Sequence, residues 1–464
     1  MLQASNIREA SPFSRRDLLL LGLLSAAGFA LGLRGIIDYG YIGQDFYTHR
    51  VLIDTFPWSY SYMRTNPPGL YWFGSFIRAR VGPAHYLDAI ALAFLIFNSL
   101  ALWIIYGFLW RGISSPRLRF AAAAFATFVP FRVIHAIVLA ADAFTLPIFA
   151  LVALFTLRLF WSPRSAVSWA GLSLSLCAGM FFKYTFIGLL PPVALLLAFA
   201  IFRRLEKPER LQWCAVGLLA LALPAAAFGL QMRECAKMNG NVASGQWLPE
   251  GAPSVMRWSD ILTLQKSDLG VLSAPEYLRG KLYALRRYSY MGLLHVSSFT
   301  DVLGNFQPPN GHVFEDSNKL IGAPAARDRS PRSQTLQVWS VRMCLVYSAL
   351  AVAGTIFCIL FSGLSLAFLR PPFADSNVVL TALAAGFYST VFFSLHKLQD
   401  PYTPGFWMPR LILPALLVFF CLGFVFLDSA YRRLQRFGAA ANALVWAFTG
   451  YTLVACTVFA GFLS

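Results

Sequence analysis

Along this chain the apolar residues gather in long unbroken runs, and most polar links between them are short and rich in arginine. The runs cover approximately residues 18 to 37, 86 to 110, 120 to 139, 143 to 161, 167 to 182, 186 to 202, 211 to 230, 341 to 369, 377 to 395, 411 to 430 and 439 to 463. A helix of about 20 apolar residues crosses a hydrocarbon core of roughly 30 Å. Backbone in lipid must satisfy its own hydrogen bonds, and no run shows the ten-residue alternation of a barrel strand, so the runs read as helices. The pattern predicts an all-α polytopic membrane protein with about 11 transmembrane helices.

Three regions follow. Residues 1-230 form an amino-terminal transmembrane region with a first outer loop at 38-85, residues 231-340 form a long hydrophilic loop, and residues 341-464 form a carboxy-terminal transmembrane region. Orientation comes from the links. If every run crosses once, Arg15 and Arg16, Arg111 to Arg119, Arg158 and Arg164, Arg203 to Arg210, Arg370, and Arg432 to Arg436 share one side, which the positive-inside rule makes cytoplasmic. The first outer loop, the links at Ala140 to Asp142 and Lys183 to Thr185, His396 to Arg410 and the long loop then face outside. Basic residues in the long loop do not disturb this, because long loops are translocated largely regardless of charge. Inside it, Leu278, Leu282 and Leu285 recur at helical spacing beside basic residues, predicting a surface helix, and Gly304 to Pro331 reads as a loop.

Composition changes the picture in two ways. With 58% hydrophobic and 13% charged residues, lipid is the main solvent, and membrane lipids are the constant partners. The net charge of +17 would suggest nucleic acid in a soluble protein, but these charges sit in the links, so no nucleic-acid partner is expected. Six of the seven cysteines lie in apolar runs, leaving only Cys235 near a polar loop, and no disulfide framework or CxxC site is legible. Ser14-Arg15-Arg16 before an apolar run resembles a twin-arginine export signal. An uncleaved first span is preferred, since the run is long enough to cross and more spans follow; a bacterial inner membrane is the expected location.

The first outer loop is the most informative segment. Asp45 can open a short helix running to about Ile53, with His49 one turn later on the same face. Asn66 before Pro67 and Pro68 reads as an N-cap with proline at the first helical position, opening a second short helix that ends near Gly82-Pro83. Two amphipathic surface helices rich in Tyr and Trp are thus predicted, with Tyr71 and Trp72 read first as interfacial belt residues and second as a platform for a sugar ring.

Here the chain resembles the GT-C superfamily of integral-membrane glycosyltransferases, which includes protein O-mannosyltransferases and the aminoarabinose transferase of lipid A. The resemblance rests on Asp45 in GQDFYTH after the first span, on TNPPGLYW, on LCAGMFFKYTFIGLLPP, and on Arg410 and Pro414 in MPRLILP. It spans roughly residues 15 to 430 and implies transfer of a sugar from a polyprenyl-phosphate donor to a glycan, lipid or protein acceptor on the non-cytoplasmic face, with inversion. Gln44 stands where many members carry the first acid of an Asp-Glu pair, so metal dependence does not carry over; no cofactor is assigned, and a divalent cation stays open.

The residues suit that chemistry. Such a transfer needs a base for the acceptor and cations for the departing phosphate. Asp45 is the candidate base, with helix capping as the plainer reading. His49 is a candidate to orient Asp45, bind substrate or ligate a metal. Lys183 interrupts an apolar hairpin, and Arg410 stands at the outer end of a span; both are phosphate-binding candidates, with membrane anchoring as the alternative. Asn66, Tyr71 and Tyr184 join the substrate-binding set from the matching stretches. Asp142, Arg132 and His135 are expected to pair among themselves. The rival reading is a membrane transporter or lipid flippase, which should show charged or proline-broken helices at mid-bilayer depth.

Overall fold

The computed structural model describes residues 13–39, 46–57, 67–239, 294–295, 298–300, 331–367, 374–398 and 412–463. The helices are α1 (Arg15–Tyr39), α2 (Phe46–Asp54), α3 (Gly69–Val81), α4 (Tyr86–Gly112), α5 (Pro116–Phe128), α6 (Pro130–His135), α7 (Thr145–Trp161), α8 (Ala166–Phe182), α9 (Leu190–Arg204), α10 (Lys207–Asn239), α11 (Pro331–Ala367), α12 (Asp375–Leu398), α13 (Leu413–Leu434) and α14 (Ala439–Leu463). Among the described residues there is no strand.

Among the described residues, eight helices are long and apolar enough to cross a membrane, fewer than the eleven runs expected. The remaining three runs show why. Residues 120 to 139 divide at Val129-Pro130 into α5 and α6, because Pro130 has no N–H to continue the first helix. Residues 167 to 182 form α8, which is 17 residues long. α12 covers 377 to 395 but is not among the eight; its side chains from 393 lie outside the described residues. At the long loop, α10 runs on to Asn239 and α11 starts at Pro331, so helix enters it from both sides. The expected surface helix at Leu278 to Arg287 lies outside the described residues, as does Gly304 to Ser330.

Burial separates the spans into two kinds. In the most apolar windows of Ala141–Trp161 and Leu413–Phe437, 72% of residues are buried, against 17% in Lys207–Glu234. Leu211, Leu218 and Leu219 of α10 are 80%, 72% and 74% exposed, an apolar surface that belongs against lipid rather than water. The chain is therefore an integral membrane protein built on a buried α7 and α13, with α1, α10 and α11 at the rim.

The basic links meet at one end of the bundle. Asp428 of α13, 0% exposed, accepts from the Ser114 backbone N–H (3.0 Å), the Ser114 hydroxyl (2.7 Å) and the Ser115 backbone N–H (2.8 Å), and pairs with Arg432 at 3.4 Å. Asp375 accepts from Trp161 Nε1 at 3.1 Å and pairs with Arg204 at 3.4 Å. Arg111 and Arg117 lie over the Trp161 and Trp446 rings. These contacts tie the starts of α5, α12 and α14 to the ends of α7, α9 and α13.

Candidate functional site

At the opposite end, α8 stops at Phe182. The Lys183 backbone N–H donates to the Gly179 carbonyl (2.7 Å), its backbone is extended, and a 3-10 turn, Tyr184–Leu189, follows before proline-started α9. Lys183 thus sits on a corner rather than within a helix, with its ammonium ion-paired to Asp142; the side chains are 14% and 8% exposed. Asp142 lies in the 3-10 turn Ala141–Phe144, where Thr145 Oγ1 donates to the Asp142 carbonyl (2.7 Å) and Asn98 Nδ2 of α4 donates to the Ala143 carbonyl (2.9 Å). Phe144 stacks on Phe182 with centroids 3.9 Å apart, so rigid rings hold the backbones on both sides of the ion pair.

Lys183 meets a carboxylate within the fold, and this pairing corrects one expectation. Asp142 does not pair with Arg132. That arginine, 1% exposed, donates to the Thr127 carbonyl, one of the acceptors left open where Pro130 ends α5.

The first interhelical segment folds over this corner. A Cβ on Gly69, the first residue of α3, would lie 2.7 Å from the Phe181 carbonyl oxygen and equally close to the Phe182 ring, so only glycine allows α3 to begin against the end of α8. The helix therefore starts two residues after Pro67 and ends at Val81, before Gly82-Pro83 as expected. α2 packs on α3 through Ile53 against Gly74. His49 Nδ1 lies 3.2 Å from the Tyr71 hydroxyl, with the two side chains 7% and 0% exposed. Tyr71 is thus no interfacial belt residue and offers no open face to a sugar; Trp72, 51% exposed, takes the surface position. Beyond them Asp54, which the sequence reading passed over, accepts from the Tyr86 hydroxyl (2.7 Å) and pairs with Arg78 at 3.1 Å.

Below the start of α3, an apolar groove of about 580 Å³ runs between α8 and α10, lined by residues including Pro68, Leu174, Cys177, Phe181, Ala227 and Gln231. Tyr184 meets Phe228 of α10 edge-on at 6.1 Å. Asp45, Asn66 and Arg410 lie outside the described residues. Among the described residues no group of three or more His, Cys, Asp or Glu side chains is placed to hold a metal, so they do not supply a donor set for the divalent cation left open above.

No family model matches the chain, and no curated protein matches it. A solved structure that it resembles is the archaeal oligosaccharyltransferase AglB from Archaeoglobus fulgidus in complex with an inhibitory peptide and a dolichol-phosphate. The identity is 14% and the TM-score 0.43, over 96% of this chain and 55% of that one, so the chain spans about half the length of that protein. The likeness gives no residue of this chain a role.

Chemically, the corner combines a shielded lysine, a competing carboxylate and an adjoining apolar groove. A lysine in such a place is a point charge with three donors that suits a phosphate oxygen. The groove suits a hydrocarbon chain.

Proposed function

We propose that this protein is a membrane glycosyltransferase that moves one sugar from a polyprenyl-phosphate donor to an acceptor on the non-cytoplasmic face, with inversion. The observation that carries the reading is the packing of the first interhelical segment onto the end of α8, two residues before Lys183: α3 begins against the carbonyl of Phe181, and α2 is fixed to α3 by His49 and Tyr71. Asp45 directly precedes α2 in sequence, so the candidate base and the candidate phosphate ligand belong to segments joined through α3.

In the reaction the acceptor hydroxyl attacks the anomeric carbon as Asp45 takes its proton. The bond from that carbon to the phosphate oxygen breaks, and its electron pair stays on the lipid phosphate, which Lys183 and Arg410 stabilise. Asn66 and Tyr184 line the substrate, while His49 and Tyr71 hold the helix after Asp45. A bacterial inner membrane, with the basic links inside, fits the arginine pattern.

A transporter would draw on the break at Val129-Pro130 and on buried Arg132. That guanidinium, however, donates to the Thr127 carbonyl next to the break, which ties it to the helix end, although its buried Nε has no hydrogen-bond partner among the described residues. The test is mass spectrometry of cell-envelope glycans and lipids with and without the protein, followed by turnover of the implicated donor by purified protein. A missing sugar and turnover in detergent support transfer; an unchanged envelope with no turnover of any polyprenyl-phosphate sugar defeats it. Cysteine labelling near position 45 from the cytoplasm alone would defeat the sidedness.

A further inference from the structure

We propose that Asp142 is a positioning residue for the phosphate site: it holds Lys183 while the site is empty and reclaims it from the product, allowing the lipid monophosphate to leave. This rests on the reading of Lys183 as a phosphate ligand. The Lys183–Asp142 pair is net neutral and mostly shielded from solvent, so it attracts no anion as it stands. A phosphate must share the Lys183 ammonium with Asp142 or take its place, and in this exchange it takes its place.

The surroundings confine that exchange to side chains. Lys183 is fixed by its N–H on Gly179 and by the Phe186 N–H on its carbonyl (3.2 Å). Asp142 is fixed through Thr145 and its neighbour Ala143 through Asn98, and Phe144 stacks on Phe182. What can move is the four-carbon lysine stem, swinging between two acceptors over a rigid floor.

The exchange answers a problem set by the reaction itself. The donor is a phosphodiester with one negative charge. When its bond to the sugar breaks, the electron pair remains on the phosphate, leaving a monoester that carries up to two charges, since such groups have a second pKa of about 6. A free lysine would therefore hold product more tightly than donor. Asp142 competes for the same ammonium and offsets this excess, and no other reactant is consumed. The apolar groove that begins at Phe181, two residues from Lys183, favours a phosphate on a hydrocarbon tail over free phosphate.

The experiment uses the full chain in detergent, with geranyl phosphate and, separately, inorganic phosphate, read by titration calorimetry and by the rise in melting temperature. Asp142→Asn should bind geranyl phosphate roughly 10-fold more tightly than wild type, the lower range for one charge-assisted contact, and Lys183→Met should lose that gain when combined with it. Inorganic phosphate should bind far more weakly; equal binding would remove the lipid from the assignment. Equal geranyl phosphate affinity in wild type and Asp142→Asn overturns the exchange while leaving the phosphate site intact. Absence of binding to every form overturns the phosphate site as well. If Asp142→Asn is unstable alone, geranyl phosphate should restore its melting more than it raises that of wild type. A variant that the lipid does not rescue marks the pair as structural only and overturns the proposal.

Discussion

His49 of α2 and Tyr71 of α3 meet inside the protein, Nδ1 to hydroxyl at 3.2 Å, with both side chains buried. The contact joins the helix that follows Asp45 to the helix that begins against Phe181. It therefore fixes the angle between α2 and the helix that packs on the end of α8.

Tyr71→Phe keeps the buried ring and removes only the hydroxyl. It should lower stability by about 0.5 to 1.5 kcal/mol, the usual net worth of one hydrogen bond, and turnover should fall with the loosened α2. Tyr71→Ala also empties the ring's volume and should cost about 3 to 5 kcal/mol, as large aromatic deletions do. Melting in detergent checks both. If Tyr71→Phe melts and turns over like wild type, Ile53 and Gly74 alone set the contact.

Asp45→Asn retains shape and a capping oxygen but loses basicity. Turnover should fall by at least roughly 10²-fold, the typical share of a general base, with melting unchanged. Activity at the wild-type level would remove Asp45 from the mechanism.

Arg410→Lys keeps the charge and loses the planar fork that grips two phosphate oxygens. Donor KM should rise by roughly 10-fold, the lower range for a charge-assisted contact. If Arg410 only anchors its span, initial rates at limiting donor should match wild type.

What the sequence showed of this architecture depended on how local each signal was. The end of α3 was legible because Gly82-Pro83 stops a helix on backbone grounds alone. Its start was not, since Gly69 rather than Pro67 opens it, and the reason is the Phe181 carbonyl over a hundred residues later. Hydropathy averaged across Pro130 and reported one span where two helices stand. Lys183 stood out as a charge interrupting an apolar hairpin, but its partner Asp142 arrives through the packing of Phe144 on Phe182, which no spacing encodes. Asp428 was hidden at the end of an apolar run, where one carboxylate beside several arginines looks like ordinary link chemistry.

A pH dependence should come from His295. Burial holds its pKa down at about 4, with Nε2 at 3.1 Å from the Val341 carbonyl and Nδ1 at 2.7 Å from the Ser348 hydroxyl. The neutral ring satisfies both by donating from Nε2 and accepting at Nδ1. The folded pKa lies below the unfolded value of about 6.5, so the unfolded chain takes up the proton first as pH falls. The stabilisation is thus complete above about pH 6.5 and is lost as pH drops toward 4. His295→Gln should flatten the melting profile across that window; an unchanged slope would mean that His295 does not titrate with folding.

Asp428 gives the sharpest test of how the arginine-rich end is built. Its carboxylate accepts two backbone N–H groups and one hydroxyl from Ser114 and Ser115 while 0% exposed, so it closes the start of α5 onto α13. Asp428→Asn keeps one acceptor oxygen but turns the other into a donor that faces donors. One of the two backbone N–H groups then loses its partner, so a loss of about 1 to 3 kcal/mol is expected. Arg432, 3.4 Å away and 54% exposed at its side chain, supplies the control. As a solvated partner it contributes little, and Arg432→Gln should stay within roughly 1 kcal/mol of wild type. Chemical denaturation in detergent compares the two. If both variants lose the same stability, the ion pair rather than the capped backbone holds this end together; a large loss for Asp428→Asn alone assigns it to the Ser114–Ser115 cap.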